Sequence, residues 1–100
     1  SVKTATAPNS TKIKSLASKK SKQAVLKWNK VKGASQYEVY RSTSKKGKYK
    51  KIATTKKTTY TDKKLKGKKK YYYKVRVSKK INKKNYYSSY SAVKSVTVKK

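Results

Sequence analysis

Residues 71–78 read Tyr-Tyr-Tyr-Lys-Val-Arg-Val-Ser, and the strict alternation of this run constrains the fold more than any other feature of the chain. In a strand, successive side chains point to opposite faces, so Tyr71, Tyr73, Val75 and Val77 share one face while Tyr72, Lys74, Arg76 and Ser78 share the other. A helix would scatter the same residues around its circumference. The run therefore predicts a long central strand with one side turned to a core, and it sets the period by which the rest of the chain is read.

Six further runs follow that period, bounded by Lys, Ser, Thr, Asn and Gly clusters. They span 11–17, 23–29, 36–43, 49–54, 58–62 and 91–99. The second places Leu26 and Trp28 inward, the third Tyr37 and Val39, the fourth Ile52, the fifth Tyr60, and the last Val96 and Val98. In the first, Ile13 and Leu16 are three apart, which requires a bulge if both are to face the core. Gly33, Gly47 and Gly67 all fall in predicted connections, where a positive φ is often needed. Residues 1–9, with the single proline, Pro8, read as a linker, and 10–100 as one domain. The start at Ser1 suggests a segment of a longer, processed protein, and no run approaches the roughly 20 apolar residues of a membrane span.

Only fifteen residues are Val, Ile or Leu, there is no Phe or Met, and 32 basic residues stand against two acidic ones, giving a net charge of +30. Composition of this kind ordinarily leaves a chain unfolded. Ten Tyr and one Trp, set into the alternating runs, supply the missing area, since an aromatic side chain buries far more surface than an aliphatic one. The sequence is therefore read as a folded, all-β, seven-stranded antiparallel sandwich.

Leu26-Lys-Trp28, Tyr37-Glu-Val-Tyr-Arg41, Thr58-Thr-Tyr-Thr-Asp62 and the stretch from Leu65 to Val77 carry a resemblance to the fibronectin type III domain, covering about Pro8 to Val98. The chain looks most like the Lys- and Tyr-rich versions repeated in secreted and cell-surface proteins of Gram-positive bacteria. The resemblance implies a Trp on the second strand beneath a Tyr on the third. It also implies a tyrosine corner, in which Tyr71, six residues after Leu65, bonds back to the preceding connection. Lys66 stands where the family often has Pro. The short integrin-binding tripeptide that animal members carry before the last strand is absent, so that activity does not carry over. An extracellular spacer, adhesive or accessory module, monomeric and flanked by other domains, is what the resemblance implies.

Catalysis lacks residues. There is no His or Cys, and the only side-chain carboxylates are Glu38, read as outward-facing, and Asp62, read as a turn residue after Thr61. A Ser/Lys nucleophile pair would need one desolvated lysine, and nothing singles one out. No cofactor or metal site is expected, because the ligand types are missing. Asn9-Ser-Thr11 matches a glycosylation acceptor but reads as a turn before the first strand.

What remains is charge. Thirty ammonium groups on one small domain must sit within a Debye length of one another, about 8 to 10 Å, so they repel and condense counterions that a polyanion would displace. The expected partners are anionic polymers: cell-wall teichoic acid, acidic glycans or nucleic acid. The candidate contacts are Lys68, Lys69, Lys70, Lys79, Lys80, Lys83 and Lys84 with Tyr86 and Tyr87. With Arg41 and Arg76 the only arginines, recognition should follow charge density, because Lys lacks the planar fork that reads phosphates and bases bidentately. Two readings of the lysines stand side by side: contact with polyanions, and repulsion that keeps β-edges from pairing between copies. Outward Tyr40, Tyr72, Tyr86, Tyr87 and Tyr90 either stack on flat rings or shield a sheet face. The leading functional expectation is a bacterial extracellular module; the alternative is a small basic nucleic-acid-binding protein.

Overall fold

A computed structural model describes residues 10–100; the predicted linker, 1–9, and Asn9 of the acceptor motif lie outside the described residues. The strands are β1 (Ile13–Ala17), β2 (Ala24–Trp28), β3 (Gln36–Ser42), β4 (Lys50–Thr55), β5 (Thr59–Asp62), β6 (Lys70–Ile81), β7 (Lys84–Tyr87) and β8 (Lys94–Thr97). They form two antiparallel sheets. One has the order β1-β2-β5; in the other β4, β3 and β6 are consecutive, and the free side of β6 is shared by β8 at its start and β7 at its end.

Between the sheets lie Ala24, Leu26 and Trp28 from one side and Tyr37, Val39, Tyr73, Val75 and Val77 from the other, all buried. The Trp28 indole meets the Tyr37 ring at 5.7 Å between centroids and 59° between planes. Tyr37 is held at its far end by the Val31 amide, which donates to its hydroxyl at 2.9 Å. Leu65 and Val98 are buried at the rim, whereas Ile52, Tyr60 and Val96 are partly buried and pack on the outside of this cluster. The register of β1 against β2 shifts between Ile13 and Ser15, the irregularity that lets Ile13 and Leu16 both meet the core. Tyr71 accepts a hydrogen bond from the Lys66 amide at 3.0 Å, so the corner forms although Lys replaces Pro there.

Among the described residues the strand count is eight rather than seven, because residues 79–87, read as a connection, form a hairpin. Its two central residues, Asn82 (φ 49°) and Lys83 (φ 66°), are both left-handed, as a type I′ turn requires. No glycine marks it. Of the three glycines only Gly33 has a positive φ, 83°, while Lys22, Lys64 and Lys68 join Lys83 in the left-handed region, which disfavours a Cβ by about 1 kcal/mol each.

β7 and β8 are two halves of one edge strand. Between them, buried Ser88 and Ser91 donate their amides to the Val77 and Val75 carbonyls, and their hydroxyls accept from the Val77 and Val75 amides at 2.8 and 3.0 Å. Each serine thus presents to β6 both the donor and the acceptor that a regular ladder residue would, and no buried backbone group on this stretch of β6 is orphaned.

Candidate functional site

The two carboxylates, both read from sequence as ordinary surface or turn residues, are buried. Asp62 lies within β5, paired with Ala24, and not in a turn. It faces the second sheet, where Arg41 Nη1 approaches its two oxygens at 3.0 and 2.8 Å and the Tyr73 hydroxyl donates at 2.7 Å. Burial, and then the bond to and charge of Asp62, hold the Tyr73 phenol well above the usual range, so it stays a neutral donor.

Glu38 does point to the outer face of β3, but it is covered. Arg76 Nε donates to it at 2.6 Å, the Tyr40 hydroxyl at 3.1 Å, and Lys51 Nζ lies 3.6 Å away. Burial alone would raise the Glu38 pKa; the bonds from Arg76 and Tyr40 and the charges of Arg76 and Lys51 outweigh it and leave the carboxylate below its ordinary value. Burial, followed by the neighbouring Tyr90 and Glu38, pushes Tyr40 up. Neither carboxylate is free to serve as a general base, and both arginines are engaged.

Above Glu38 the outer face of the larger sheet is an interleaved array of rings and cations. The Arg76 guanidinium lies 4.0 Å from the Tyr87 centroid, 5.2 Å from Tyr90 and 5.5 Å from Tyr40. Tyr40 and Tyr90 meet edge to face at 5.1 Å. Lys74 Nζ lies 3.9 Å from Tyr90 and 4.4 Å from Tyr49, and Lys70 Nζ 5.6 Å from Tyr72. Such contacts contribute about 0.5 to 1 kcal/mol each at exposed sites. The opposite sheet turns Val25, Lys27, Thr59 and Thr61 outward and carries no comparable aromatic cluster among the described residues.

The nine residues nominated from sequence do not form one patch. Lys68, Lys69 and Lys70 stand at the start of β6, whereas Lys79, Lys80, Lys83, Lys84, Tyr86 and Tyr87 stand at its far end and on the hairpin. At about 3.3 Å per residue the two groups are about 30 Å apart. The residues that lie between them, Lys74 and Arg76 with Tyr40, Tyr49 and Tyr90, were outside that set. The signal was present for each: Lys74, Arg76 and Tyr40 occupy outward positions of their runs, Tyr90 is among the rings read as outward, and Tyr49 lies an odd step from inward Ile52 in the run 49–54, although the observed strand starts at Lys50.

No family model and no curated protein matches the chain. Among solved structures, an Fn3-like protein from Clostridium thermocellum is 33% identical, with 95% of this chain and 97% of that one covered and a TM-score of 0.71. The chain belongs to the fibronectin type III family. The sixth fibronectin type III domain of human fibronectin type III domain containing protein 3 superposes with a TM-score of 0.75 over 98% of this chain and 92% of that one, at 15% identity. The twitchin kinase region from C. elegans matches over 94% of this chain but only 16% of its own length, at 16% identity and a TM-score of 0.70. Fibronectin type III domains thus occur among the neighbouring domains of larger chains.

Proposed function

We propose that this fibronectin type III domain is a non-catalytic extracellular module of a larger bacterial surface or secreted protein, of the Lys- and Tyr-rich kind. It acts as a spacer that also holds anionic polymers by charge. The observation that carries the reading is how little of the positive charge is neutralised. Glu38 and Asp62 are taken up by Arg76 and Arg41, and among the described residues Lys51 is the one lysine within 4 Å of a side-chain carboxylate. Identity to the Clostridium thermocellum protein supports the bacterial setting, and the spread of lysines over both ends of β6 supports contact with flexible polymers rather than with one compact ligand.

Binding of the domain to duplex DNA, heparin and teichoic acid over a salt series tests this. All three should bind at 50 mM salt and weaken together; a protein that neutralises 6 to 10 phosphates of duplex DNA loses roughly 10³- to 10⁵-fold in affinity between 50 and 200 mM. Absence of binding to every polyanion at 50 mM salt, or affinities indifferent to salt, would remove charge as the basis of function.

A further inference from the structure

The two lysine groups at the ends of β6 are joined by the strand itself. Its outward positions run Lys70, Tyr72, Lys74, Arg76, Ser78 and Lys80, a track of about 33 Å at 3.3 Å per residue along which Lys70 and Lys80 are exposed, Tyr72, Lys74 and Arg76 half-buried and Ser78 buried. Four of those six positions are cationic. Along the middle of the track stand Tyr87 and Tyr90, the two large hydrophobic side chains of the described residues that remain exposed, at 38% and 40%. Each has one side turned to the Arg76 guanidinium, and Tyr90 is also backed by Lys74 at 3.9 Å.

That backing decides which flat group suits the open side. A tyrosine face is negative because of its ring quadrupole, and a cation close to one face draws that negative potential down. The exposed side is then a poor partner for another cation or for the weakly positive C–H face of a sugar. It is a better one for the electron-rich π-face of a nucleobase. Lysines on either side, meanwhile, supply point charges for a phosphodiester backbone. A basic track combined with aromatic platforms is the arrangement by which proteins hold single strands without reading their sequence.

We propose that the outer face of β6 binds single-stranded nucleic acid, its backbone following the lysines and its bases stacking on Tyr87 and Tyr90. This rests on the polycationic reading above and narrows it to one polymer. A duplex keeps its bases stacked inside and gains only the charge contact.

The test uses the intact domain and two fluorescent probes of equal length and charge, oligo(dT) and an abasic phosphodiester of the same length, measured by anisotropy at 50 and 200 mM salt. Oligo(dT) should bind at least tenfold more tightly than the abasic strand, and the gap should persist at the higher salt, where charge contributes less. Tyr87→Ala and Tyr90→Ala should each weaken oligo(dT) about tenfold and leave the abasic strand unchanged, while Tyr87→Phe and Tyr90→Phe keep most of the wild-type affinity. Equal affinity of the wild-type domain for the two probes overturns the platform, a result that does not depend on any variant folding, and leaves the charge reading intact. Heparin binding that falls in the two alanine variants while oligo(dT) binding does not would reassign the rings to a glycan. Failure of both probes to bind at 50 mM salt would overturn the charge reading as well.

Discussion

Asp62 and Glu38 have the same kinds of partner, an arginine and a tyrosine hydroxyl, yet they sit on opposite sides of the larger sheet. Asp62 projects from β5 of the smaller sheet, and both its partners, Arg41 and Tyr73, belong to the larger one. Among the described residues Glu38 is partnered only within the larger sheet, hydrogen-bonded by Tyr40 on its own strand and Arg76 on β6 and ion-paired with Lys51 on β4. The first pair fastens one layer to the other; the second fixes a guanidinium beneath Tyr87 and Tyr90. In a chain with two acids, the side of the sheet on which each lies separates what holds the fold from what arranges the surface.

The sharpest way to break this distinction is Asp62→Ala, which leaves Arg41 facing the end of the core without a counterion. Removing one partner of a fully buried pair costs about 3 to 5 kcal/mol, and since Arg41 is about one-third exposed, a loss of about 2 to 4 kcal/mol is expected in urea unfolding. A loss below 1 kcal/mol would mean the layers do not depend on this link. Tyr73→Phe comes next, at about 1 to 2 kcal/mol, because it removes one buried bond to a charged acceptor while the ring stays in place.

Glu38→Gln should cost less, about 1 kcal/mol, since water reaches Arg76 and Lys51. Its pH signature sharpens the contrast. Glu38 titrates below its ordinary 4.5 in the folded domain, so its contribution is complete above that value and disappears as pH falls toward the lower folded value. Melting curves from pH 6 to pH 2 should therefore show a shallower acid limb for Glu38→Gln, converging with wild type at the acid end. Superimposable limbs would mean that Glu38 gains nothing from its partners on folding.

Most of the scaffold was legible in the sequence because its signal is local. The period-two run at 71–78 marks β6, and the resemblance to the fibronectin type III domain, carried in part by the spacing from Leu65 to Tyr71, implied the corner that the Lys66 amide and the Tyr71 hydroxyl form. The ion pairs were not legible, because they depend on register. Glu38 lies opposite Arg76 only through the pairing of β3 with β6, and Asp62 reaches Arg41 only once the two sheets are stacked. β7 was hidden for a different reason: its turn is made by Asn82 and Lys83, and lysine is not a residue that announces a left-handed backbone. Ser88 and Ser91 look like loop residues by type, and their part in completing the edge strand depends on where the backbone carries them.

The left-handed lysines limit how the domain can be re-engineered. Lys22, Lys64, Lys68 and Lys83 occupy positions where glycine would relax the backbone, so the simplest route to a more heat-resistant derivative is also a route to a less cationic one. Backbone strain and positive charge are coupled at these four turns. A variant library selected for thermal endurance alone should drift toward lower charge there first.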